Sequence, residues 1–177
     1  MHVRNLAVML VIVALVGVAV YQNVISESAA LPTEEAPKQN FLAPSFSAET
    51  MSGDEIEIGG ARDKALLLNF WAAWCHPCHT EAPDLAAFAD KYKDDLDIVA
   101  VNVTNIDDLD NARDFVDEYG FTFPIPLDPK GDIQKLYNVY SYPTTFLVNR
   151  DGVIRHVILG IRPPNDLERM IKDTIKG

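Results

Sequence analysis

Apolar residues along the 177-residue chain fall into blocks of different period. An unbroken apolar run from Leu6 to Val20, extended by Tyr21 to Ile25, reaches the roughly 20 residues needed to span a bilayer. Ala65–Trp71 and Ile98–Val103 are apolar at nearly every position, the pattern of strands covered on both faces in a sheet flanked by helices. Elsewhere the apolar positions recur every three or four residues. Ala82, Leu85, Ala86, Ala89 and Tyr92 predict a helix from Pro77 to Tyr92, and Leu167, Met170, Ile171 and Thr174 predict a final one.

Turn and cap residues divide the rest. Ser52-Gly53-Asp54 separates two short runs between Phe46 and Ile58, predicting a β-hairpin on the edge of the domain. Asn149-Arg150-Asp151-Gly152 separates Thr144–Val148 from Val153–Leu159, so the last two strands run antiparallel. Gly120 ends a helix over Leu109–Tyr119, and a small helix is expected over Ile133–Tyr137. The prolines of Pro124-Ile125-Pro126-Leu127 restrict it to a short edge strand. Pro83 should kink the first helix, and Asn165 with Glu168 resembles a capping box opening the last. Ser26–Pro44 carries three prolines and no apolar period, and reads as a tether. The organisation is a segment over 1–25, a linker over 26–44 and one α/β domain over 45–177, within the usual domain size.

The N-terminus sets an address. Arg4 and the amino group precede the apolar run and acidic residues follow, so the short end stays inside and the bulk is exported. Ser28-Ala29-Ala30 offers a small-residue cleavage site, but about ten residues beyond the core of the run, so an uncleaved single-pass anchor is the expected form. No cysteine follows the run to carry a lipid. A formal charge of −11 excludes nucleic acid as a partner, since phosphate binding rests on lysine and arginine clusters. With just two cysteines in the chain, export favours a disulfide over free thiols.

Those two cysteines carry the chemistry. Cys75-His76-Pro77-Cys78 lies where a buried strand gives way to a helix. A thiol there faces unpaired N–H groups and the positive end of the helix dipole, which stabilises a thiolate. Cys75 is then the attacking thiol. Cys78, one turn on, is placed to resolve the mixed disulfide. A purely structural disulfide closing so short a loop would stabilise little. The same letters, extended to His79, match the c-type haem attachment pattern, for which Met51, His156 and Met170 are the candidate second ligands. A zinc site lacks a second ligand pair at a matching spacing. His76 either stabilises the nearby thiolate or merely completes the turn, and His79 is expected to face solvent. Trp71 reads as core and Trp74 as part of an apolar docking surface. Asp94-Asp95 and Asp107-Asp108 read as solvated loops.

The run Asn69-Phe70-Trp71-Ala72-Ala73-Trp74-Cys75-x-Pro77-Cys78, with Tyr142-Pro143-Thr144-Thr145-Phe146, resembles the thioredoxin fold. Glu81, Pro83, Val99–Val103 and the inserted helix and strand from Leu109 to Leu127 resemble, in detail, the membrane-anchored ResA/TlpA/CcmG group of thiol–disulfide oxidoreductases, and the ResA pattern above all. The resemblance spans the chain from about Phe46 onward. It implies a reductase with Cys75, Cys78 and Glu81 as catalytic residues, and Trp74, His76, Pro77, Tyr142, cis-Pro143 and Thr144 as substrate-binding positions. No cofactor or metal is implied beyond the Cys75–Cys78 pair. The implied partners are a disulfide-containing protein, the haem-binding cysteines of apocytochrome c, and a CcdA-type membrane electron donor. Spore-envelope or copper-site maturation, or oxidation in place of reduction, stay open. Ordinary thioredoxins carry a buried aspartate where this chain has Asn69, which cannot titrate; Glu81 is the acidic residue left to move protons.

Overall fold

The computed structural model describes residues 5, 8–18, 21 and 31–177. Residues 5, 8–18 and 21 are helical, and among the described residues no helix is long and apolar enough to cross a membrane. Of the anchor expected over 1–25, residues 1–4, 6–7, 19–20 and 22–25 lie outside the described residues, as does the cleavage site at Ala30. The unit Pro32–Gly177 is organised around β3 (Ala65–Trp71), in which every residue is buried.

Strands β1 (Phe46–Glu49) and β2 (Glu55–Ile58) form the expected hairpin. β3 leads into α1 (His76–Lys91) and β4 (Leu96–Asn102), then α2 (Leu109–Tyr119), α3 (Asp132–Leu136), β5 (Thr144–Val148), β6 (Ile154–Leu159) and α4 (Pro164–Lys176). The sheet order is β4-β3-β5-β6, with β3 parallel to β4 and antiparallel to β5. This is a thioredoxin-like mixed sheet. Side chains alternate across it. Leu66, Leu68 and Phe70 enter one core with Val99, Val101 and Phe146, while Ala65 and Leu67 enter the other with Ile98, Leu147, Leu85 and Phe88 of α1 and Leu167 and Ile171 of α4. Each fully buried leucine is worth about 1.5–3 kcal/mol over exposure. Asn69 and Thr145 continue that second stripe, so they face α1.

Several expectations change. Pro124–Leu127 makes single bridges to Thr50 and Asn102 in place of a strand. Pro124 and Pro126 accept from the N–H groups of Ala100 and Asn102 at 3.1 and 2.9 Å. A full parallel ladder needs an N–H at residue 126 for the Ala100 carbonyl, and proline has none. The Trp71 indole serves that carbonyl at 3.2 Å. The tether ends sooner than its prolines suggest. Asn40 and Ala43 donate to Ile154 and Gly152, both at 2.8 Å, Ile154 donates to Phe41 at 2.9 Å, and Ala43 and Pro44 are buried. That stretch covers part of the β6 edge, which would otherwise expose unpaired backbone. Helix α4 starts on Pro163 and Pro164 with no side-chain cap, because a first-turn proline has no N–H to satisfy; Asn165 caps nothing. Gly120 does close α2 at φ 63°.

Candidate active site

Between β3 and α1 the chain turns through Ala72-Ala73-Trp74. The Ala73 N–H donates to Asp107 Oδ2 at 2.7 Å, and the same oxygen accepts from Asn102 Nδ2 at 2.7 Å. Asp107 is therefore a pin on the turn, and Asp108 caps α2 by accepting from Asp110 and Asn111. Asp107 is thus not the solvated residue expected, whereas Asp108, Asp94 and Asp95 are exposed, Asp95 beside Arg150 at 3.0 Å.

Cys75 is the N-cap of α1, and its sulfur accepts from the Cys78 N–H at 3.2 Å. Polar oxygen usually fills that place; here a sulfur meets the positive end of a 16-residue helix, an environment that favours thiolate over thiol. Cys75 and Cys78 are joined as a disulfide with Cα atoms 5.3 Å apart. Each is 3% exposed.

Glu81 follows Cys78 by three residues on the same buried face of α1. Its Oε1 accepts from Asn69 Nδ2 at 2.7 Å, and the second hydrogen of that amide goes to Thr145 Oγ1 at 2.9 Å. Burial pushes the Glu81 carboxyl up to about 7; the Asn69 hydrogen bond pulls it back and the Asp84 charge adds to the rise. A carboxyl so placed exchanges its proton near neutral pH, the range in which an acid–base group is useful.

The Tyr142–Pro143 peptide bond is cis, as the resemblance implies. Among the described residues neither the N–H nor the C=O of Tyr142 is bonded within the chain, while Pro143 accepts from Gly160 at 2.8 Å. Thr144 is buried and its hydroxyl donates to Ser141 at 2.8 Å, so its side chain shapes this loop from within. Around the disulfide lies an apolar rim. Trp74 is 59% exposed, its indole donates to the Ile106 carbonyl at 2.9 Å, and its ring meets Tyr142 edge-on at 5.8 Å. His76 and Pro77 are exposed beside it, and Tyr140 is 84% exposed. Trp71 is core, stacked on Phe115 at 4.4 Å.

His79 overturns its expectation. Its Nε2–H donates to the Ala73 carbonyl at 2.8 Å, Nδ1 is hydrogen-bonded with the Tyr119 hydroxyl at 2.9 Å, and the ring packs 4.7 Å from Phe115. It faces inward because α2 covers that side of the first helical turn. The residue that the haem pattern would use as an axial ligand thus has both nitrogens engaged, which counts against that reading. A cavity of about 710 Å³ lies between the β1–β2 hairpin and α2. It contains none of these groups.

Comparison with known proteins places this site in a family. A model of the AhpC/TSA family matches residues 41–157. The chain is 32% identical to the thiol–disulfide oxidoreductase ResA of Geobacillus kaustophilus, covering 96% of this chain and 94% of that protein. The chain belongs to the thioredoxin-like AhpC/TSA family, as a ResA-type thiol–disulfide oxidoreductase. It is 42% identical to the thioredoxin-like protein YneN of Bacillus subtilis, over 73% of this chain and 76% of that one. Among solved structures it resembles a putative thiol:disulfide interchange protein DsbE from Chlorobium tepidum, with TM-score 0.67 and 30% identity, over 76% of this chain and 95% of the other. StoA from Bacillus subtilis gives TM-score 0.63 and 32% identity over 72% and 96%.

In this ResA-type oxidoreductase three supports of the site are not marked by sequence spacing: Asp107 under the turn, His79 against α2, and Thr145 behind Asn69. One signal was present. Thr145 is a hydroxyl within an apolar strand, on the same sheet face as Leu147.

Proposed function

We propose that this oxidoreductase reduces disulfides in partner proteins on the outer side of a membrane, to which its N-terminal segment anchors it as a single pass. The observation that carries the reading is the redox pair at the N-cap of α1 with a proton-exchanging carboxyl, Glu81, buried one turn behind it. In the reduced enzyme the Cys75 thiolate attacks one sulfur of the partner disulfide, forming a mixed disulfide and releasing a partner thiolate. Cys78 then loses its proton and attacks the Cys75 sulfur. This closes the Cys75–Cys78 disulfide and releases the second partner sulfur as a thiolate; two electrons pass to the partner, whose thiolates take up protons from solvent and from Glu81. Glu81 takes the Cys78 proton. Trp74, His76, Pro77 and Tyr142 dock the partner, and the free backbone of Tyr142, held before cis-Pro143, pairs with its extended chain.

The resemblance to the ResA group supports a more specific substrate, the disulfide between the haem-binding cysteines of apocytochrome c, with a CcdA-type membrane protein returning the two electrons. No cofactor enters this scheme. The test is the reduction potential of the full chain equilibrated against thiol buffers. A value near or below about −250 mV is expected for a reductant, and a value near about −120 mV would reverse the assigned direction. Cys78→Ser, which keeps the attacking thiolate and removes the resolving one, should accumulate a mixed disulfide with an oxidised Cys-x-x-Cys-His peptide. Equal rates on that peptide and on an unrelated disulfide peptide would overturn the cytochrome assignment.

A further inference from the structure

The stripe of β3 that faces α1 and α4 runs Ala65, Leu67, Asn69, and the matching stripe of β5 runs Thr145, Leu147. Asn69 and Thr145 are partners across the two strands, and both are buried. Leucine and valine have similar volumes and would bury there without any hydrogen-bonding requirement. The polar pair therefore has to be explained by what it touches.

What it touches is Glu81. The Asn69 amide nitrogen has two hydrogens; one lies on Glu81 Oε1 at 2.7 Å and the other on Thr145 Oγ1 at 2.9 Å. An amide can turn over and offer its oxygen instead, and a protonated acid would then donate to it. In the arrangement observed the amide nitrogen gives one hydrogen to each oxygen. We infer that Asn69 and Thr145 act together as positioning residues for Glu81: the Thr145 oxygen takes one hydrogen of the amide nitrogen while the other lies on the carboxyl, and that contact favours the charged, proton-accepting form of Glu81. The inference rests on the reading of Glu81 as the group that takes the Cys78 proton, and adds what keeps it able to do so inside the protein.

The surroundings fit this division of labour. From α1, Glu81 is faced by Asp84, whose negative charge opposes ionisation, and by the Cys75–Cys78 pair one turn away. β3 contributes Asn69 and β5 contributes Thr145. Burial and Asp84 both favour the neutral acid, and the Asn69 donor is the one contact that favours the carboxylate. Hydrogen bonds to charged groups are among the strongest. Without it Glu81 would keep its proton at neutral pH and could not accept one from Cys78.

The test follows the Glu81 carboxyl carbon by NMR through a pH titration of the oxidised full chain, alongside the pH profile of disulfide exchange by the reduced chain. Asn69→Leu should raise the Glu81 midpoint by about 1 to 2 pH units and move the exchange profile upward with it. Thr145→Val should shift both in the same direction by less, and Thr145→Ser should restore wild-type values. In the Asn69→Leu background, Thr145→Val should add nothing, because the two act through one contact. Should Asn69→Leu fail to fold, the Thr145→Val and Thr145→Ser pair decides the matter alone. An unmoved midpoint in Asn69→Leu or Thr145→Val, or additive shifts in the double variant, overturns the inference. A different result bears on the parent reading: if Glu81→Gln leaves the exchange profile unchanged, Glu81 does not take the Cys78 proton, whatever holds it.

Discussion

Helix α1 meets a glutamate at each end, and the two are in opposite states. Near its N-terminus Glu81 is 6% exposed and has one donor, Asn69; burial outweighs that donor and lifts the carboxyl to about 7. At its C-terminus Glu168 of α4 accepts from Lys91, Tyr92 and Lys172 at 2.9, 2.6 and 2.7 Å, and those donors pull it down to about 2. The same side chain is a proton carrier where desolvation dominates and a fixed charge where donors dominate. The lesson is one of placement. The chemical end of the helix keeps its acid buried with one donor, and the structural end gives its half-buried acid three.

The largest expected effect lies at the chemical end. Glu81 carries a folded-state value raised from 4.5 to about 7, so the folded protein holds this proton more tightly than the unfolded chain does. The resulting stability is full below about pH 4.5, declines as pH rises and is gone above about 7, a loss of roughly 3 kcal/mol. Glu81→Gln should abolish that part of the pH dependence. Urea unfolding of the oxidised full chain at pH 5 and pH 8 measures it: wild type should lose stability across the interval and the variant should lose much less. Equal losses would mean that Glu81 is solvated, and the contrast with Glu168 would disappear.

Glu168 should give the opposite sign and a smaller effect. Its value is depressed, so its contribution is present above the unfolded value of 4.5 and is lost as pH falls toward about 2. Glu168→Gln should lower the melting midpoint by a few degrees at neutral pH, flatten the acid limb of the stability curve and leave the reduction potential unchanged. Because Lys91 and Lys172 are largely exposed, high salt should narrow the gap between variant and wild type. A shifted reduction potential in Glu168→Gln would show that the two ends are coupled through the helix.

Sequence pattern reached the elements better than the contacts that tune the site. The run Ala65–Trp71, apolar at every position but Asn69, read as a buried strand, and Asn149–Gly152 fixed a hairpin by turn chemistry. Cys75 and Cys78 were legible because position on a helix N-terminus follows from local order alone. Asn69 and Glu81 could each be singled out, but not their bond, which spans a strand and a helix. Glu168 misled for the same reason. Its spacing from Asn165 suggested a local cap, whereas its partners Lys91 and Tyr92 come from another helix. His79 and Asp107 are polar letters in polar surroundings, and just the approach of α2 and its preceding loop makes them structural.

Trp74 gives the smallest effect on the fold and limits the comparison from the binding side. It shares the chemical end of α1 with Glu81 but is exposed, and its one polar contact is to the Ile106 carbonyl at the surface. Removing it takes away little buried area, so Trp74→Ala should change stability by within about 0.5 kcal/mol, as surface substitutions do. Its ring instead forms, with Tyr142, the apolar rim beside the disulfide, and an aromatic that becomes buried against a partner commonly contributes more than about 1 kcal/mol to binding. The KM for a protein disulfide should therefore rise several-fold, with kcat little changed. The rate on a small-molecule disulfide, which needs the sulfur but not the rim, should stay the same. If both substrates slow equally, Trp74 acts on the Cys75 thiolate itself, and docking and chemistry at this end of the helix are not separate functions.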